Sequence, residues 1–263
     1  MRKHLAFVIA AAMAAGGLGW LGHAAFADDP VPNEKLPQGI QKSQKDDSND
    51  IRKDLGSATD SLLMKGDINK FISWFSDSDR ARLEGYFRQN RDKLNELNGR
   101  IAQIQADWQT RYNQKFDLNG EVVFGPQYRN LEIVQGQVNN PAMLSNWPVP
   151  NGGEHPNPKG QNPDIKQNSE VAIVTFPMEH GLGDLNVSLV KESSWRIDIP
   201  KDVDSQRLYT VLLNNLTNFG DSKDKWPSDV NDAYRLVSRY VLMSCYNIPA
   251  PKGMGEMKEG MTH

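Results

Sequence analysis

Residues Leu185–Pro200 read LNVSLVKESSWRIDIP, and the fold is decided by how this stretch is paired. Leu185, Val187 and Leu189 alternate with polar residues, and Trp195, Ile197 and Ile199 do the same after a charged break. Alternation at period two predicts two half-buried strands, because successive side chains leave a strand on opposite faces. Putting both apolar sets on one face of one sheet opposes Leu189 to Trp195, Val187 to Ile197 and Leu185 to Ile199. That register predicts a five-residue loop, Val190–Ser194, between the strands. Asn186, Ser188, Arg196 and Asp198 then occupy a second, wetter face.

Just upstream, EVAIVTFP (170–177) is apolar on both faces, the pattern of a central strand. EVVFG (121–125) and NLEIVQGQV (130–138) also read as strands. Between them and the central strand, residues 139–168 form a long loop rich in Asn, Pro and Gly.

Helical spacing precedes the strands. Ile51, Leu55, Ala58, Leu62 and Leu63 make one apolar stripe, closed by Gly66, and Ile68, Phe71, Ile72 and Phe75 follow. A single long helix is predicted from a Ser78 cap to about Lys115. Its apolar positions, Leu83, Phe87, Leu94, Leu97, Ile101, Ile104 and Trp108, recur like a heptad seam in which Asn90 fills the missing place. Gly85 and Gly99 each weaken such a helix by about 1 kcal/mol relative to alanine. The seam covers a sheet or a neighbouring helix, or, as the alternative, joins two chains in a homodimer. Asp204 and Ser228 are candidate caps of two further helices at the C-terminal end. The predicted class is α+β: a curved antiparallel sheet packed against N-terminal helices including one long helix, with two additional C-terminal helices.

The start of the chain reads as an export signal. MRKH is followed by an apolar run and by Ala25–Phe26–Ala27, so residues 1–27 are expected to be a signal peptide cleaved after Ala27. The expected destination is the periplasm or the exterior. Residues 28–50 read as a flexible polar spacer, residues 51–247 as a single domain, and 248–263 as a disordered methionine-containing tail. No later run approaches about 18 apolar residues, so no membrane association is expected after cleavage. The formal net charge of −3 becomes more acidic once Arg2 and Lys3 leave, which argues against a nucleic-acid partner. Cys245 has no second cysteine to pair with and reads as a buried, inert thiol.

Two stretches carry a family resemblance. LLMKGDINKFISWFSD (62–77) resembles the opening helical hairpin of the NTF2-like (cystatin-like cone) superfamily, and SEVAIVTFP followed by LNVSLVKESSWRIDIP resembles its last strands. The chain departs from that pattern in its long middle helix, its 139–168 loop and its two closing helices. The resemblance implies a helix-covered cone. Such a cone either binds a small ligand or a protein partner or, in the family's enzymes, places Asp, His or Tyr inside for acid–base chemistry of isomerase, dehydratase or hydrolase type.

Trp74, Trp108, Tyr112 and Trp195 are the candidate cone-lining residues, against the plainer reading that aromatics at such positions are packing. Asp107, Tyr112 and Asp117 near the end of the long helix are further candidates to reach a pocket. Asp198 is expected to point away from the Trp195 face and to pair with a basic residue. His155 and His180 read as loop and turn residues, and no histidine or cysteine stands at metal-ligand spacing, so neither a metal nor a cofactor is expected. Met254, Met257, Met261 and His263 form a soft donor set suited to Cu(I), or else incidental residues of a terminus. No nucleophile elbow or phosphate-binding loop is present, so a non-catalytic binding domain is the first expectation and a cone enzyme the second.

Overall fold

A computed structural model describes residues 36–117, 119–144, 146–149 and 165–251. Strands β4 (Leu185–Lys191) and β5 (Trp195–Asp198) form the expected hairpin, with the expected faces. Its register is different. Lys191 opposes Trp195 and Leu189 opposes Ile197, so the loop shortens to Glu192–Ser194 and Ile199 lies beyond the ladder. The cause is tertiary. In this register Lys191 stands over the Trp195 ring, 5.2 Å from its centroid, and ion-pairs with the buried Asp47. A slip of two residues leaves every side chain on its original face.

The described strands form one curved, open sheet. In order across it lie β1 (Ile40–Lys42), β2 (Glu132–Val138), β3 (Glu170–Phe176), β4 and β5, each antiparallel to the next. β1 falls within the segment read as a spacer, so residues 36–50 are part of the domain. Pairing requires a small residue at Gly136, where a Cβ would stand 2.2 Å from Ile40 Cγ2. The opposite edge is covered: Ile197 N–H donates to Trp74 O at 2.9 Å, and Ser76 N–H donates to Ile197 O at 2.9 Å. This single parallel bridge blunts an edge strand that would otherwise offer unpaired backbone groups.

One face of the sheet carries Ala172, Val174, Phe176, Val187, Leu189, Trp195 and Ile197 into the main core. Helix α1 (Ser48–Leu63) meets it with Ile51, Leu55, Ala58 and Leu62, the predicted stripe. Gly66 closes that helix at φ +63, where its N–H donates to Leu62 O at 2.8 Å. Helix α2 (Ile68–Ile72) follows, capped by Asp67.

The predicted long helix is two helices, α3 (Asp77–Gln89) and α4 (Arg91–Tyr112). The break falls at Asn90 (φ −119, ψ 64), and not at either glycine. Asn90 Nδ2 donates to Tyr86 O at 2.8 Å, which satisfies a carbonyl at the end of α3. The α3 cap position is Ser76, and not Ser78. Within the chain, Leu83, Phe87, Leu97, Ile101, Ile104 and Trp108 are buried against helix α6 (Ser205–Asp221) and its surroundings. The stripe that offered a dimer seam is therefore already occupied.

EVVFG is not a strand. Gly120–Val123 is a single helical turn, α5, capped by Asn119. A Cβ on Gly120 would lie 2.6 Å from Gly56 O and 2.7 Å from Asp60 Oδ1, so backbone-to-backbone contact with α1 overrides the β preference of the valines. Arg52 ties down the following loop by donating to Phe124 O, Gly125 O, Tyr128 O and Leu131 O at 2.8–3.2 Å.

Asp204 caps α6 as expected, whereas α7 (Val230–Cys245) is capped by Asp229 in place of Ser228. Cys245 is fully buried, and burial pushes its thiol well above the usual range. Order continues into the segment expected to be a disordered tail. Asn215 accepts from Ala250 N at 2.7 Å and donates to Ile248 O at 3.0 Å. Met254, Met257, Met261 and His263, His155, and the expected signal peptide lie outside the described residues.

Candidate functional site

The second face of the sheet is where the sequence misleads most. The hairpin alternation makes its side wet, but Val138, Val171, Ile173 and Val190 there, two of them from the strand expected to be apolar on both faces, gather Trp147 and Ile165 into a second, smaller core. Trp147 is supplied by the long 139–168 loop, whose described part folds back onto the sheet. Its indole Nε1 donates to Asp198 Oδ2 at 2.6 Å, and Val149 N–H donates to Ser188 Oγ at 2.7 Å.

Asp198 points away from the Trp195 face as expected, but it is completely buried. Beside it lies a second buried carboxylate, Asp79, in the first turn of α3. Asp79 Oδ2 accepts from Ser76 Oγ and Ile199 N, both at 3.0 Å. Its Oδ1 accepts from Arg82 at 2.7 Å and from Lys201 at 2.9 Å. Lys201 also reaches Asp198 Oδ1 at 3.6 Å. Burial, and then the negative charge of Asp79, hold the Asp198 carboxyl far above its ordinary range. Burial acts on Asp79 too, but Lys201, Arg82 and the Ile199 amide outweigh it and keep Asp79 below the ordinary range. Burial and charge thus drive the proton affinities of the two carboxyls apart, the pattern seen in acid–base pairs. Here both are buried, Asp198 against the Trp147 indole, and what they join is the start of α3, the end of β5 and the loop.

The four candidate lining residues do not meet in one cavity. Trp108 and Tyr112 pack against Phe116 and Trp226, and Trp226 against Phe219, with ring centroids 4.5–6.4 Å apart, where α4 meets α6. Tyr112 OH donates to Pro227 O at 2.5 Å. Trp195 is core, its backbone N–H held by Asp54 Oδ2 at 2.8 Å. Between helices and sheet lies one continuous apolar cluster that includes Phe71, Phe75, Phe124 and Phe176.

Trp74 alone opens onto a recess, a surface pocket of about 430 Å³. Its floor is the outer side of α1, with Ser57, Asp60 and Ser61, and Asp117 stands on one wall. Trp74 Nε1 donates to Ser61 Oγ at 3.2 Å, while Lys70 and Arg196 lie 5.9 and 5.3 Å from the ring centroid. Burial pushes the Asp60 carboxyl up, against the Tyr234 hydroxyl and the Gly120 amide that donate to it. No known family model, curated protein or solved structure matches this chain.

Asp107 is engaged by Lys223 at 2.9 Å away from that pocket, and His180 is an exposed turn residue at φ +53. Asp79 was missed, although the S-x-x-D spacing of Ser76 and Asp79 is a helix-start signal. Among the described residues no cluster of His, Cys, Asp and Glu could hold a metal ion.

Proposed function

We propose that this chain is an exported, non-catalytic domain of NTF2-like type whose business is binding, and that the Trp74 pocket is its ligand site. The single observation that supports a binding reading is the contrast between this open, charged pocket and the filled space between helices and sheet. The space expected to be a cone is packed with apolar side chains, and the Asp79–Asp198 carboxyl pair is buried. The Trp74 pocket is open, has an aromatic wall and polar groups of both signs, and has the volume of a small-molecule site.

The test uses the mature chain starting at Asp28, labelled with ¹⁵N. It is titrated separately with L-phenylalanine, glucose, adenosine, octanoate and spermidine at millimolar concentration. Binding is expected to shift amide resonances of residues 57–74 and 117–121 with at least one of them. If no compound of any class moves those resonances, the reading falls.

A further inference from the structure

The distribution of charge in the Trp74 pocket points to a ligand class, an inference that rests on the binding role proposed above. One wall, from the end of α1 and from α2, carries Met64, Lys65, Lys70 and Trp74. The other, leading into α5, carries Asp117, Asn119 and Glu121. The lining therefore carries both signs of charge, cations from the α1–α2 side and carboxylates from the segment leading into α5.

The floor has little left to offer a ligand. Ser61 Oγ donates to Ser57 O at 2.8 Å and accepts from Trp74. Both Asp60 oxygens accept from the Gly120 amide, and Oδ1 also from Tyr234. The walls are different. Among the described residues, Lys65, Lys70 and Asp117 are exposed and form no ion pair, so their charges are open to a ligand. Lys65 acts on Asp60 only through space, and Lys70 lies over the Trp74 ring. Glu121 takes only a weak hydroxyl contact, from Ser57 at 3.2 Å.

We infer that the pocket takes a small zwitterion with an apolar body, of amino-acid or dipeptide type. Its carboxylate faces Lys65 and Lys70, its ammonium faces Asp117 and Glu121, and its apolar part lies against Met64 and Trp74. A ligand of one sign would gain from one wall and be opposed by the other, and a neutral polar ligand would use neither. The volume of about 430 Å³ admits a molecule of that size.

The experiment compares L-phenylalanine and the dipeptide Gly-Phe with phenethylamine and 3-phenylpropionate, which each lack one charge. Binding to the mature chain is read by amide shifts at residues 57–74 and 117–121. One or both zwitterions are expected to bind at least tenfold more tightly than either single-charge analogue, and which of the two is tighter separates free amino acid from peptide. The double variant Lys65→Gln/Lys70→Gln is expected to weaken phenylalanine about tenfold while leaving phenethylamine unchanged or tighter. Asp117→Asn/Glu121→Gln does the reverse with 3-phenylpropionate. All four positions are exposed, and the fold of each variant is checked by its amide spectrum. Equal affinity for phenylalanine and either analogue overturns the inference. So does a shift of the same amides by glucose, adenosine, octanoate or spermidine but by neither zwitterion, and the binding role then survives. If nothing binds, both readings fall.

Discussion

Trp147 donates its indole N–H to Asp198 Oδ2 across 2.6 Å, and both side chains are buried. The contact joins a loop to the last strand through the member of the carboxyl pair that holds its proton more tightly. Removing the partners therefore has graded effects. Trp147→Phe keeps the ring and leaves a buried carboxyl short of a donor, at a cost of about 1–3 kcal/mol. Trp147→Ala also opens a cavity in the second core and costs about 3–5 kcal/mol. Asp198→Asn retains an acceptor for the indole and removes the repulsion from Asp79, so it stays within about 1 kcal/mol of wild type. Urea unfolding of the three variants ranks them, and a ranking in which Asp198→Asn is the worst would refute the raised Asp198 carboxyl.

The same pair predicts a pH dependence. Unfolded, Asp198 loses its proton near 3.8; folded, burial and Asp79 hold it on to higher pH. Above pH 3.8 the folded state thus binds more protons at this site than the unfolded state, and stability falls as pH rises toward the folded value. Asp79 has the opposite sign, since its lowered carboxyl contributes above 3.8 and loses that contribution toward acid. Among the groups facing Asp198 are Asp79, Ser76, Lys201 and Trp147 at its carboxyl and the Tyr246 hydroxyl at its backbone carbonyl, with Arg82 behind Asp79. Asp198→Asn removes only the first dependence. Urea midpoints measured from pH 4 to 8 are expected to diverge, with the variant gaining on wild type as pH rises; parallel curves would contradict the assignment.

The sequence made the faces of the β4–β5 hairpin legible but not its register. Period-two alternation is blind to a slip of two residues, and the slip is decided by Asp47, far away in the chain, drawing Lys191 over Trp195. EVVFG failed for a related reason: the deciding contact is between Gly120 and Gly56, which no local pattern records. Asp198 was placed on the correct side of the sheet, yet its burial depends on a tryptophan delivered by a loop that reads as featureless. Of the pocket, Trp74 and Asp117 were visible as candidates. Their meeting was not, because the break at Asn90 and the α1–α5 contact set where α4 leads the chain.

The glycines divide sharply by surroundings. A Cβ on Gly120 would meet Gly56 O at 2.6 Å, and one on Gly56 would meet Gly120 C at 2.4 Å, backbone in both cases. Either glycine-to-alanine change is expected to cost about 1–3 kcal/mol through forced displacement of α5. Gly85 and Gly99 lie inside helices with nothing within 4 Å of a built Cβ. Gly85→Ala and Gly99→Ala are each expected to stabilise by about 0.4–1 kcal/mol, chiefly by restricting the unfolded chain. Thermal unfolding of the four single variants checks the opposite signs.

Tyr246 carries the last prediction. Its hydroxyl sits where β4 and β5 part, accepting from Ser188 N at 2.6 Å and facing Asp198 O at 3.0 Å and Ser188 O at 3.4 Å. It stands in for a missing rung of the ladder, deep enough that burial holds the phenol well above its ordinary range. Tyr246→Phe keeps the ring but strands a buried amide and a buried carbonyl, a cost of about 1–3 kcal/mol. The loss is local: amide exchange of Ser188 is expected to accelerate beyond the change in global stability, while Val174 and Val187 in the central ladder follow the global change alone. Uniform acceleration across β3, β4 and β5 would show that the hydroxyl has no special role at that junction.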